Sequence, residues 1–249
     1  LWVASRRTPP GLTFSNDTIL LTRKRMRSIR PLEQPDPPKG GGTISAIQVQ
    51  KKDQDRCSLF LNGTFAFGIH MNLVADHGLK KGVVLDEEAC RSLMSEDLYY
   101  KAMKRCVDYL AYRPRSTSEI EQRLRELNVP ETVGEKVKDR LGELGYLNDE
   151  RFAQQWAASR HRSKGFGPRR LEMELIQKGI PAEMARKVVA ETCSADDVEE
   201  QLAVQIGKAR HRYRHEGDER KREQKIIGFL SRRGFDVGAI RDALRQPGS

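Results

Sequence analysis

Hydrophobic positions along this chain recur at a fixed offset. Ile120, Leu124, Val129, Pro130, Val133 and Val137 return as Leu171, Leu175, Ile180, Pro181, Met184 and Val188, each displaced by 51 residues. A fainter copy, Ile226, Leu230, Phe235, Ala239 and Ala243, comes at a displacement of 55 from the second. A constant period of this size predicts tandem helical units, each too small to bury its own apolar face and so stacked on its neighbour. Stacked helices build an extended surface, which suits a macromolecular partner better than a small substrate.

The polar punctuation sets the boundaries of the units. Ser116–Thr117–Ser118–Glu119 is a capping box ahead of Ile120 and Leu124. Pro130 suits the first turn of a further helix, which Gly145 stops. Asn148 opens the next helix, with Phe152, Ala153, Trp156 and Ala157 on one face. Its successors start after Gly167–Pro168 and at Pro181, and Ser194–Ala195–Asp196–Asp197 opens the last unit. The expected three-helix units are residues 98–147, 148–193 and 194–249. Ahead of the first, residues 73–77 and 86–94 read as short helices separated from one another by Gly82. They are distinct from a longer helix over Leu98, Ala102, Cys106, Tyr109 and Leu110.

Between residues 43 and 70 the period changes to two. Ile44, Ile47 and Val49, then Cys57, Leu59 and Leu61, then Phe65, Phe67 and Ile69 predict a three-stranded antiparallel sheet. Asp53–Gln54–Asp55 and Asn62–Gly63 lie between the runs, and Asn-Gly supplies the positive φ angles of a two-residue hairpin turn. Residues 43–97 therefore form a small β-rich subdomain with short helices, and its sheet leans on the helices downstream of it. Residues 1–42 hold 8 basic residues, 3 acidic ones, and a Pro- and Gly-rich end. They read as a disordered basic tail with too little apolar surface to offset ordering entropy. The fold class expected is mainly α: tandem three-helix repeats forming an elongated curved rod, with a small antiparallel β-sheet subdomain at the N-terminal side.

Composition narrows the chemistry. The net charge is +10, from 45 Lys and Arg against 35 Asp and Glu, which points to a polyanion or an acidic protein groove as partner. Cys57, Cys90, Cys106 and Cys193 are too scattered for a metal knuckle or redox pair, and Cys106 falls on an apolar stripe. His211 and His215 have two-histidine spacing but no third ligand near them. No nucleotide loop or activated nucleophile is present, so the reading is a non-enzyme with no cofactor and no metal. No run of about 18 apolar residues occurs, and the expectation is a soluble cytoplasmic protein without a membrane partner.

Cations at unit junctions are the candidate binding residues. Arg113 and Arg115 flank Pro114, where they either bind acidic groups or cap helix carbonyls. Arg160, Arg162, Lys164, Arg169 and Arg170 surround Phe166 between glycines, a pattern that suits phosphate or an acidic groove and equally a solvated connector. Lys208 and Arg212, and Arg232 and Arg233, complete the set. Asp149 and Glu150 read as helix-opening charges, and Phe152 and Trp156 as core.

These blocks carry a family resemblance. Tyr112–Arg113–Pro114–Arg115–Ser116, Gly145–Tyr146–Leu147–Asn148–Asp149–Glu150–Arg151–Phe152–Ala153, Gly165–Phe166–Gly167–Pro168, Lys178–Gly179–Ile180 and Arg232–Arg233–Gly234–Phe235 resemble, in order and spacing, the RecX regulatory proteins of bacteria. The resemblance spans about residues 43–246. It implies a modulator that lies in the groove of the RecA–DNA filament and inhibits RecA ATPase, strand exchange and coprotease activity, so tuning homologous recombination, DNA repair and the SOS response. It implies RecA as partner; single- or double-stranded DNA is a further candidate contact, and the chain is expected to be a monomer. The competing reading is a direct DNA-binding protein whose helical triads act as helix-turn-helix modules.

Overall fold

The computed structural model describes residues 30–33 and 35–245. Strands β1 (Gly42–Gln50), β2 (Asp53–Leu61), β3 (Thr64–His70) and β4 (Val84–Leu85) form one antiparallel sheet in the order β3-β2-β1-β4. The sheet has four strands rather than the expected three, because β4 pairs with the start of β1 (Gly42 with Leu85, Thr43 with Val84). A two-residue strand carries no period-two signal of its own. The β2–β3 turn is Asn62–Gly63, with φ of 50° and 85°, as the Asn-Gly pair predicts. Asp53–Asp55, expected between strands, belong to β2, and the preceding turn is at Lys51–Lys52. Ile44, Leu59 and Ile69 are fully buried on one face. Phe65 departs from its apolar pattern. A register shift between Leu59 and Phe60 sets it opposite Phe60, and it stays exposed.

Helices α1 (Met71–Asp76) and α2 (Glu87–Leu110) cover the buried face. The two helices expected over 86–94 and from 98 onward are one 24-residue helix. Nothing in Ser95–Glu96–Asp97 breaks it, and the Asp97 carboxylate faces the sheet. Asp97 accepts two bonds from Arg56, at 3.1 and 2.7 Å, and one from the His70 amide at 2.8 Å. Lys101 lies 3.0 Å away on the same helix. A buried carboxylate is tolerated only with such compensation. The first half of α2 seals the sheet with Cys90, Leu93 and Met94; the second half supplies Ala102 and Cys106 to the next core.

The rest of the chain is three successive three-helix units. The first combines the end of α2 with α3 (Thr117–Glu126) and α4 (Glu131–Glu143). The second is α5 (Asp149–Lys164), α6 (Pro168–Gln177) and α7 (Ala182–Thr192); the third is α8 (Ala195–Arg212), α9 (Glu219–Arg232) and α10 (Val237–Arg245). The repeating positions form the cores. Ile120, Leu171 and Ile226 are buried, as are Leu124, Leu175 and Leu230, and Val129, Ile180 and Phe235. Ser116 closes a capping box with Glu119, and Ser194 does the same with Asp197. Asn148 accepts the Arg151 amide at 2.8 Å.

Of the expected disordered tail, residues 1–29 and 34 lie outside the described residues. Its described end needs a correction. Leu32 packs against the core of the first unit, and its amide donates to the Leu127 carbonyl at 2.9 Å. A single apolar residue anchors the segment that composition alone assigns to the solvent.

Candidate partner-binding surface

The joints between units organise most of the candidate cations. At the first joint, the Ser116 hydroxyl, at the N-cap of α3, donates to the Lys178 carbonyl at the end of α6 (2.6 Å). At the second, the Gly167 amide, at the N-cap of α6, donates to the Arg233 carbonyl at the end of α9 (2.8 Å). Ser116 and Gly167 are separated by the repeat offset of 51, and Lys178 and Arg233 by 55. The two joints therefore use equivalent positions, with a side-chain hydroxyl donating in the first and a backbone amide in the second. In each, the N-terminus of one unit's middle helix meets the C-terminus of the next unit's middle helix, so the helix dipoles run head to tail. The approach is close. A Cβ on Gly179 would sit 2.2 Å from the Ser118 Cβ, and one on Gly234 would sit 2.2 Å from the Arg170 amide nitrogen.

The first joint is held by a half-buried charge cluster. Glu119 receives Arg113 through two bonds, at 2.7 and 3.1 Å, and Lys178 from the next unit at 3.0 Å. Burial alone would raise the Glu119 pKa, but the hydrogen bonds from Arg113 and Lys178 outweigh it and bring it down to about 2. Arg115 lies 3.7 Å from Glu119, with its guanidinium 3.8 Å above the Tyr109 ring. Burial lowers the Arg115 pKa, and the neighbouring Arg113 adds to the effect. The Arg113 guanidinium also donates to the Pro114 carbonyl at 2.9 Å. Asp149 accepts the Thr117 amide at 2.8 Å, so the second unit caps a helix of the first. Arg113 and Arg115 are thus engaged within the first unit, around the Glu119 carboxylate that Lys178 of the second unit reaches.

The second joint carries an arginine–aromatic surface. The Arg233 guanidinium lies 4.9 Å from the Phe229 ring and 5.9 Å from Phe166, and it also bonds the Lys164 carbonyl. Arg170 lies 5.4 Å from Phe166 on the same joint. Arg212, at the end of α8, lies 5.6 Å from Phe229. Burial lowers the Arg233 pKa, and repulsion from Arg212 lowers it further. These rings orient guanidinium groups while leaving N–H donors for carboxylate or phosphate.

The remaining candidates divide by their partners. Arg160 stacks 4.4 Å from the Trp156 ring and lies 3.7 Å from Glu174; Arg170 pairs with Glu174 at 3.3 Å, and Arg169 pairs with Asp236. Arg162, Lys164, Lys208 and Arg232 are exposed, and none of them forms an ion pair among the described residues. Phe152 is buried, while Trp156 is only partly so and lies between Arg160 and Lys178. Sequence reasoning missed Glu119, Lys178 and Phe229 as members of these clusters. Carrying the repeat offset through the polar positions would have paired Ser116 with Gly167 and Lys178 with Arg233. Lys208, Arg210, Arg212, Arg214, Arg220, Lys221 and Arg222 form a further basic cluster in the third unit, with acidic residues among them. Lys225 pairs with Glu216, Arg222 with Glu219 and Lys221 with Asp218, whereas His211 contacts Arg214. Among the described residues no group of three or more metal-binding side chains occurs, and no helix is long and apolar enough to cross a membrane.

Comparison with known proteins divides the chain into the same units. Family profiles match in chain order: "Regulatory protein RecX N-terminal domain" over residues 42–86, and RecX first, second and third three-helix domains over 102–141, 148–189 and 197–244. A regulatory protein RecX of Bacillus velezensis is 32% identical over 212 residues, covering 82% of this chain and 76% of that protein. One from Listeria monocytogenes is 27% identical over 192 residues, covering 77% and 71%. A crystal structure of regulatory protein RecX superposes with a TM-score of 0.68 at 28% identity, over 80% of this chain and 98% of that one. RecX from Lactobacillus salivarius, at 24% identity and a TM-score of 0.54, shares the fold over 59% of this chain and 95% of its own. With an N-terminal domain and three three-helix domains matched in the family's order, this chain belongs to the RecX family of regulatory proteins.

Proposed function

We propose that this protein binds the filament that RecA recombinase forms on DNA and inhibits its ATPase, strand-exchange and coprotease activities. It thereby restrains recombination, DNA repair and the SOS response in the cytoplasm, acting as a monomer and not as an enzyme. The observation that carries this reading is the ordered match of all four parts of the chain to the RecX family. The joints give it a physical basis. Units fixed by repeated close contacts hold their surfaces at a constant spacing, and a filament offers binding sites at a constant spacing. Once one unit binds, its neighbour meets the next site at high effective concentration. The exposed cations Arg162, Lys164, Lys208 and Arg232, with Arg212 and Arg233 on Phe229, are the contacts proposed for acidic groups of the filament.

The test is RecA ATPase on single-stranded DNA, titrated with this protein at two salt concentrations. Inhibition well below one protein per RecA, persisting at the higher salt, is the expected result. Inhibition only at DNA-saturating amounts, lost as salt rises, would overturn it in favour of direct DNA binding, whose affinity falls steeply with salt.

A further inference from the structure

The joint contact has a third instance, and its partner is not a helical unit. The middle helix of the first unit ends at Leu127, one offset of 51 before Lys178. In a longer array, the Leu127 carbonyl would receive a donor from a preceding unit, as Lys178 receives Ser116 and Arg233 receives Gly167. Its donor here is the Leu32 amide, at 2.9 Å. The Leu32 side chain is half-buried against the core of the first unit, a core that includes Leu124, Leu127 and Val129.

The residue after each joint carbonyl shows the same difference in partner. Asn128, Gly179 and Gly234 occupy one repeat position and share the left-handed conformation, with φ of 55°, 81° and 90°. At Gly179 and Gly234 the adjoining unit leaves no room for a Cβ. At the first position the joint carbonyl meets Leu32 and not a helical unit, and the left-handed residue beside it carries a side chain. Asn is the residue that tolerates this conformation most readily after Gly.

The downstream end of the segment is also fixed. The Gly40 amide lies 3.3 Å from a Glu87 carboxylate oxygen, and a Cβ on Gly41 would fall 2.1 Å from the Leu85 carbonyl. Leu32 is thus held at the end of the first unit, and Gly40 and Gly41 at the edge of the sheet. The segment begins upstream of the residues that the family's N-terminal domain matches.

We propose that residues 30–33 are the N-terminal cap of the repeat array, occupying the joint that a preceding three-helix unit would fill. Terminal repeats expose an unfinished apolar face and unsatisfied end groups, and arrays of this kind require a cap. Here the cap is supplied by four residues of the same chain. It satisfies the carbonyl at the end of α3 and covers the apolar surface beside it.

Amide hydrogen exchange on the full-length protein tests this, with Leu32→Asp as the disrupting variant and Leu32→Met as the conservative one. The Leu32 amide should exchange at least about tenfold more slowly than in an unstructured chain. Leu32→Asp should remove that protection and speed exchange at Asn128 and Val129, while Phe235 in the third unit keeps its rate. Leu32→Met should behave as the parent. An unprotected Leu32 amide in the parent protein would overturn the proposal. So would a Leu32→Asp protein whose exchange at Asn128 and Val129 is unchanged.

Discussion

The Glu119 cluster makes a quantitative demand. Its carboxylate is 14% exposed and is shared by Arg113 and Lys178, which come from different units. Glu119→Gln keeps the shape and removes the charge, leaving half-buried cations without a counterion. The native pKa of about 2, against an ordinary 4.5, corresponds to roughly 3 kcal/mol of stabilisation at neutral pH. Because the native value is depressed, that stabilisation is present above the unfolded pKa and is lost as pH falls through the native one. At about pH 3.5 roughly 1.4 kcal/mol of it should have gone. Urea unfolding followed by circular dichroism, for parent and variant at about pH 7 and about pH 3.5, measures both quantities. Other titrating groups contribute equally to the two proteins, so the difference between them isolates Glu119. A gap of less than about 1 kcal/mol at neutral pH, or one that does not narrow in acid, would refute the view that this cluster fastens the first two units.

Three other outcomes are expected. Gly179→Ala and Gly234→Ala should each cost more than about 2 kcal/mol in thermal or urea unfolding, because a Cβ meets the next unit in a left-handed backbone. Gly145→Ala, also left-handed at φ +73° but facing open space, should cost only about 1 kcal/mol. The thiols of Cys57, Cys90, Cys106 and Cys193 are all buried, and burial pushes Cys106 up to about 12 and Cys193 to about 11. An aromatic disulfide reagent at mildly alkaline pH should leave them unmodified until denaturant is added. Changing Arg162, Lys164, Lys208 and Arg232 together to Ala should weaken filament inhibition roughly tenfold with unaltered helicity. Full inhibition by that folded variant would remove these cations from the proposed interface.

The helical units were legible because their signals are local. Ile120, Leu171 and Ile226 mark the buried stripes, and Ser116 and Asn148 mark helix starts by bonding amides three residues away. Asn62–Gly63 likewise contains its own turn geometry. The same locality explains the errors. β4 has only two residues, and its identity as a strand lies in β1. α2 runs unbroken through Asp97, a charged residue whose burial is compensated by donors from Arg56 in β2 and the His70 amide in β3, which the local sequence does not show. Phe65 points outward because of a register shift that no single strand records.

The candidate surface divides in the same way. The sequence by itself determined the number of units, their caps, their apolar stripes, and which cations stand near the junctions. Only the tertiary structure decided what each cation does. Arg113 and Arg169 look alike as flanking arginines, yet one is locked to Glu119 within a joint and the other reaches an exposed Asp236 in the next unit. Leu32, read from composition as part of a solvated tail, takes its role from a carbonyl 95 positions along the chain. Periodicity reports which side of a helix avoids water, since that depends on a residue's near neighbours. Ion pairs, joints and caps depend on which distant groups the packed units bring within hydrogen-bonding reach, and only the completed fold sets those distances.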